Sequence, residues 1–213
     1  MTAAGGQGPG SITLTTPWYP TPSRPMVGSF VASQARLLSH IATDVSVVHG
    51  EEWAGGPAEV VDRIRSDLER VVELARRSGC LARTGAVGPV FRVPVLITGG
   101  MDIVDRAEAL VHDVSHAVGG RIESDVVHGH VGYLGGLVAA RLASPGSRVF
   151  ATEHSTGLRT LLANARGRDV YAEVIDRCDR LLCVSSVLRH QILDAMPEVA
   201  DKIEVHAADS AHR

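Results

Sequence analysis

The chain has 213 residues, 45% of them hydrophobic and 21% charged, with a formal net charge of −3 at pH 7. That length suits one α/β domain with a fully covered sheet, and the weak charge gives no general pull toward nucleic acid or an anionic membrane. Cys80, Cys178 and Cys183 make no CxxC pair and cannot pair evenly, so neither a zinc ribbon nor a disulfide framework is indicated and a reduced, cytoplasmic setting is expected.

The opening MTAAGGQGPG lacks the basic and apolar regions of a signal peptide and reads as a flexible leader over 1–10. No apolar stretch approaches the roughly 20 residues needed to span a bilayer. ITLTT (12–16) is the first predicted strand, followed by the proline-rich loop PWYPTPSRP and a helix over 27–42. VSVV (45–48) precedes a helix over 58–77, in which Val61, Ile64, Leu68, Val71, Val72 and Ala75 follow a helical apolar period. FRVPVLI (91–97) precedes a helix over 103–118 carrying Ile103, Ala107, Leu110, Val111 and Val114 on one face. Then DVVHGH (125–130) leads to a helix over 132–143, RVFATE (148–153) to one over 169–178, and RLLCVS (180–185) to one over 186–195, before KIEVH (202–206). This alternation predicts βαβ units: a single Rossmann-like domain over 11–206, with a mostly parallel sheet of about seven strands and helices on both faces. Such sheets bind ligands beyond the carboxyl ends of their strands, so the residues just after each strand are the candidate site.

Among those residues, His128 and His130 stand two apart in a predicted strand, project to one side, and are followed by His154 at the end of the next strand. Three imidazoles suit zinc, which gives one reading: a metal-dependent hydrolase using His128, His130 and His154. HxH also begins metal-dependent amidohydrolases, but their further His, Lys and Asp ligands come later. Here only His190, His206 and His212 follow. A second pair, His112 and His116 in HDVSH, is one substitution from the H-E-x-x-H zinc signature. Asp113 replaces its glutamate and no third ligand follows at a familiar spacing, so the pair reads as an exposed helix face.

No G-x-G-x-x-G follows the first strand, and neither a P-loop nor a Gly-x-Ser-x-Gly elbow is present. Met26-Val27-Gly28-Ser29 opens a helix, where free N–H groups and the macrodipole suit an anion; the alternative is a cap with a close-packed backbone. Gly132 is placed to open a helix aimed at the crevice, while Gly135 and Gly136 suit close helix–sheet packing. TEHSTGL sets Glu153, His154, Ser155 and Arg159 just past the fifth predicted strand, and Ser185-Ser186 read as a helix N-cap. With only 8 aromatic residues and no basic–aromatic face, nucleic acid is not an expected partner.

Taken in order, PWYPTPSRPMVGSFV leading into QARLLSH, DVVHGHVGYLGGLVAARLA, RVFATEHSTGL and YAEVIDRCDRLLCVSSVLRHQI before KIEV resemble one family. The chain is similar, from about Ile12 to Val205, to the N-terminal domain of retaining family-four glycosyltransferases of the GT-B fold. The resemblance implies two Rossmann-like domains facing across a cleft, the N-terminal one binding the acceptor and the C-terminal one a nucleotide-sugar donor, UDP- or GDP-linked. It implies metal-independent sugar transfer with retained configuration and no further cofactor. Gly28 and Ser29 then lie in the loop near the donor phosphates and the transferred sugar, and His130, Gly132 and Tyr133 line the acceptor side. His154 contacts the reacting sugar as the catalytic residue, Ser155 and Arg159 hold acceptor phosphate or hydroxyls, Ser185 stands at the cleft wall, and His128 points into the fold. A small-molecule, lipid or glycan acceptor is the expected partner, in a cytoplasmic setting or peripheral to the inner membrane. After KIEV the family's link into the donor domain is replaced by HAADSAHR, so 207–213 read as a shortened linker. The chain is then expected to be a fragment, a truncated product or half of a two-chain enzyme, and a non-catalytic Rossmann-like binding module is a further alternative.

Overall fold

A computed structural model describes residues 10–54, 58–77, 82–84, 88–155 and 157–206. The expected leader, apart from Gly10, and the expected tail over 207–213 lie outside the described residues. In chain order the elements are β1 (Ser11–Thr16), α1 (Ser29–Leu38), β2 (Asp44–Ala54), α2 (Ala58–Arg77), β3 (Ala82–Thr84), β4 (Pro89–Ile97) and α3 (Ile103–Val118). They continue with β5 (Val126–His130), a π-helical turn (Val131–Gly136), α4 (Leu137–Leu142), β6 (Arg148–Glu153), α5 (Leu158–Ala163) and α6 (Ala165–Arg177). The last are β7 (Arg180–Cys183), α7 (Ser186–Ala195), a 3-10 segment (Pro197–Lys202) and β8 (Ile203–Val205).

All seven predicted strands form, in one Rossmann-like sheet ordered β3-β4-β2-β1-β5-β6-β7-β8. Its pairings are parallel except for β3 against β4. The antiparallel β3 was not expected from the sequence, because three residues are too few to display an alternation. The order turns back at β1, whose neighbours are β2 and β5. At such a switch point the flanking connections leave in opposite directions and a crevice opens beyond the carboxyl ends.

Helices cover both faces, unevenly. On one, Leu110 and Val114 of α3, Leu137 and Val138 of α4, Val174 and Ile175 of α6 and Ile192 of α7 share a core with Val127, Ala151 and Leu181. On the other, Val31 and Ala35 of α1 pack on Ile12, Leu14, Val45, Val47 and Val90. In α2 the buried Val72 and the half-buried Leu68 join the larger core, while Ile64 and Val71 stay exposed, so the expected apolar stripe is narrower than its period suggests. The side chains of Val61 and Ala75 lie outside the described residues.

Local chemistry sets several boundaries. Asp102 caps α3 by accepting from Val104 N and Asp105 N at 2.8 Å each, and Asp105 returns a bond to the Asp102 backbone. Such a capping box contributes about 0.5–2 kcal/mol. Gly119 in the left-handed region closes the same helix. The helix predicted over 169–178 forms as α6 but starts earlier, where Asn164 caps it by accepting from Arg166 N at 3.0 Å; the short α5 before it was not expected from the sequence. Ser185 caps α7 through Leu188 N, as its sequence position suggests. Cys178 and Cys183 are buried free thiols. Among the described residues no helix is long and apolar enough to cross a membrane.

Candidate active site

β5 and β6 run in register, with His130 opposite Thr152, so the chain leaving β6 carries His154 back beside His130. The His130 Nδ1 and His154 Nε2 atoms are 3.1 Å apart, a hydrogen bond between two imidazoles. Phe30, in the first turn of α1, lies 4.3 Å from the His154 ring centre and meets His130 edge-on at 5.7 Å. His128 stacks beneath His130 at 4.9 Å, but its own ring nitrogens are engaged elsewhere. The Gln34 amide lies 3.3 Å from Nδ1 and the Thr152 hydroxyl 2.7 Å from Nε2. An imidazole with both nitrogens committed to the fold is a packed residue, and the three-histidine zinc reading thereby loses one ligand.

Burial is the chief cause of a common shift in these rings. It pushes His128 and His154 down to about 4 and His130 to about 2; His154 reinforces the shift of His128, and both neighbours reinforce that of His130. All three are therefore neutral near pH 7. His130 Nε2 is buried without a partner, an arrangement that costs free energy and is kept where the group has a role.

The backbone around them is equally constrained. Val131, directly after His130, has φ of 64°, a left-handed conformation that a β-branched residue rarely adopts. It turns β5 straight into the π-helical turn, which replaces the start of the helix predicted over 132–143. That turn rests on the strands themselves: Thr15 Oγ1 donates to Gly135 O at 2.7 Å, and a Cβ on Gly135 would stand 2.4 Å from both His130 O and Thr15 O. The glycines of HGHVGYLGG thus serve close packing of the chain, as expected for Gly135. Gly132 lies at the mouth of the turn, where its N–H donates to Glu153 Oε2 at 3.2 Å.

Glu153 organises the far side. It is fully buried, accepts from Ser155 N at 2.5 Å and from the Tyr171 hydroxyl at 2.8 Å as well as from Gly132, and has no cation among these partners. Burial raises its pKa, against the pull of those donors. The carboxyl fastens the start of the π-turn to the loop carrying His154 and Ser155. Tyr133 is buried beside them, and burial raises the pKa of its hydroxyl, against the pull of the neighbouring Ser155 side chain.

Gly28 precedes α1 with φ of 66°, and a Cβ there would stand 2.2 Å from Trp18 O. The close-packed cap is therefore what the position requires: the glycine lets the proline-rich loop lie against the helix start. Ser29 follows half-buried at the first position of α1. The loop also walls a cleft of about 210 Å³ beyond β1 and β2, lined by Trp18, Tyr19, Arg24, His49, Glu51 and Glu52 among others. Arg92 braces it from β4, donating to Pro20 O at 2.7 Å and lying 3.1 Å from His49 Nδ1. Burial first, then Arg92, lowers His49 to about 4.

The structure thus gathers His130, Gly132, Tyr133, His154 and Ser155, with Ser29 one residue from the Phe30 that covers the histidines. Arg159 stands apart, exposed on α5 in a groove with Gln191 and Asp194, and Ser185 is occupied in capping α7. The sequence reading missed Phe30, Tyr171 and the cleft residues of β2. The stretches holding Trp18 and Glu51 follow predicted strands, which was the available signal; nothing local singles out Phe30 or Tyr171.

Comparisons with known proteins bear on the fold and the family. No curated protein matches the chain. The N-terminal domain of trehalose-6-phosphate phosphatase from Candida albicans is similar in structure, with a TM-score of 0.52 and 12% identity over 92% of this chain and 48% of that one. That likeness concerns the fold, and the chain spans about half the length of that structure. A family model described as Glycosyltransferase Family 4 matches residues 89–206, more than half of the sequence and all of β4 to β8. The chain belongs to Glycosyltransferase Family 4.

Proposed function

We propose that this chain binds the acceptor in a GT-B transferase, which moves a sugar from a UDP- or GDP-sugar to a small-molecule, lipid or glycan acceptor with retained configuration. The nucleotide is held by a second Rossmann-like domain, in a longer form of the protein or on a separate chain. The observation that carries this reading is the neutral His130–His154 pair, covered by Phe30 at the carboxyl edge beside a polar cleft. Glycosyl transfer passes through an oxocarbenium-like centre, and a positive charge beside it would be unfavourable. Burial keeps these imidazoles uncharged, so they offer hydrogen bonds to sugar hydroxyls without opposing the developing cation. No metal is needed at this centre, since what the chain contributes is placement and fixed dipoles. The acidic rim of Glu51 and Glu52 suits a hydroxyl-rich acceptor, and Ser155 and Tyr133 extend the hydrogen-bonding wall toward it.

Two measurements test the division of labour. Calorimetry of this chain alone with UDP-glucose and GDP-mannose should show no saturable binding; tight binding of either would overturn it. With the donor domain supplied, His154→Asn should lower labelled-sugar transfer by about 10²–10³ with an unchanged circular dichroism spectrum. Wild-type turnover in that variant would remove His154 from the reaction.

A further inference from the structure

The His112–His116 pair, set aside in the sequence for want of a third ligand, acquires one in the fold. α2 packs beside α3 and places Glu69 against the pair, so that one atom each of Glu69, His112 and His116 lie within 4.8 Å of one another. His112 Nε2 is 3.9 Å from Glu69 Oε1, and the two imidazole centres are 4.8 Å apart, as i, i+4 positions on one helix face require. A tetrahedral site with metal–ligand bonds of about 2.0–2.2 Å has ligand atoms roughly 3.3 Å apart. These side chains are partly exposed, so rotamer adjustment closes that gap without moving the backbone.

A second observation separates this cluster from a chance meeting of surface groups. His112 Nδ1 lies 3.0 Å from Asp113 Oδ1, and Asp113 is itself buried, at 8% exposure. A carboxylate accepting from Nδ1–H fixes the imidazole tautomer and leaves the Nε2 lone pair outward, the arrangement found behind most metal-bound histidines. Asp113 is held in turn by Arg65 at 2.5 Å and by Leu96 N at 3.2 Å. Those partners occupy the carboxylate, so Asp113 is an orienting group and neither a ligand nor a general base. Asp113 in turn neutralises Arg65, whose charge would otherwise oppose an incoming cation.

We propose that Glu69, His112 and His116 form a binding site for a divalent borderline transition-metal ion, of the zinc class, with water completing the coordination. Two imidazoles and one carboxylate favour zinc, cobalt, nickel or copper over magnesium or calcium. The site lies on the helical layer, uses none of the residues gathered around His154, and stands or falls separately from the transfer reaction. Its effect is to clip α2 to α3, because an ion bound only by the folded protein stabilises it.

The probe is Zn²⁺ added to tag-free, chelator-treated protein. Calorimetry should show one saturable site, and the melting temperature should rise with Zn²⁺. His112→Ala and His116→Ala should each weaken binding by at least about tenfold, and Glu69→Gln should weaken it as well. His190→Ala, on the exposed side of α7, should leave it unchanged. With Co²⁺, the visible absorption of a low-symmetry site should appear in the wild type and vanish in the His112→Ala/His116→Ala double variant. Absence of a saturable Zn²⁺ site in the wild type, or a site that survives the double variant, would overturn the proposal. All three substituted positions are partly or fully exposed, so loss of binding is separable from loss of fold.

Discussion

Tyr171→Phe isolates a single buried hydrogen bond. The phenol is fully buried, and its hydroxyl donates to Glu153 Oε2 at 2.8 Å, while a phenyl ring fills the same space. A hydrogen bond to a charged partner contributes about 1.5–3 kcal/mol and one between neutral groups about 0.5–1.5 kcal/mol. Which range applies depends on pH, because burial raises the Glu153 pKa. A carboxyl with a raised folded-state pKa binds its proton more tightly when folded. Its contribution is therefore complete below the unfolded value of about 4.3 and declines as pH rises through the folded value. Above that value the ionised carboxylate depends most on Tyr171, so the variant should lose the upper range at alkaline pH and the lower range in mild acid. Urea unfolding at alkaline pH should then show a loss of about 1.5–3 kcal/mol, a fall in melting temperature of roughly 3–12 °C at about 2–4 °C per kcal/mol. The loss should extend to the loop, with faster amide exchange at Ser155 and Gly132, the other donors to Glu153. A variant within about 0.5 kcal/mol of wild type at alkaline pH would be an ordinary surface-like change. It would refute the assignment of Glu153 as the tie between the two site loops.

Gly135→Ala should destabilise by about 1–3 kcal/mol or more, since its Cβ would stand 2.4 Å from two backbone oxygens that cannot turn aside. Gly136→Ala, whose nearest neighbour is a methyl at 3.2 Å, is the matched control and should cost far less in the same thermal melt. His128 has its pKa lowered to about 4 by burial, so it holds the native state together above the unfolded value of about 6.5. That contribution, on the order of 3 kcal/mol, is lost as pH falls from about 6.5 through about 4. Its ring proton resonance should stay constant from neutral pH down to about 5.5; a midpoint near the ordinary value of about 6.5 would show the ring to be solvated.

Much of this architecture could be read from the chain because its signals are local. Branched residues alternating with helical periods mark seven of the eight strands, and the period over 103–118 gives α3 with its bounds intact. Signals fail where an element is short or where the cause is distant. β3 has three residues and α5 six, too few for a period, and β2 runs past VSVV because Glu51 to Ala54 find partners on β4 that no local pattern reveals. At the site, spacing alone made His128 and His130 alike. What parts them is Gln34 and Thr152 closing on one ring, while His154 meets the other. Glu69 illustrates the same limit: it precedes His112 by more than forty residues and reaches it only because two helices pack together.

The bond between His130 and His154 carries a consequence of its own. Two neutral imidazoles joined nitrogen to nitrogen share one bridging proton, so the tautomer of one ring dictates that of the other. If His130 supplies the proton, the remaining nitrogen of His154 is an N–H donor; if His154 supplies it, that nitrogen is a bare lone pair. A hydroxyl that approaches His154 as donor or as acceptor thereby sets the proton count on the buried, partnerless nitrogen of His130. The two rings behave as a single two-position toggle, and a group touching only the outer ring is registered at the inner one without a net charge entering the protein.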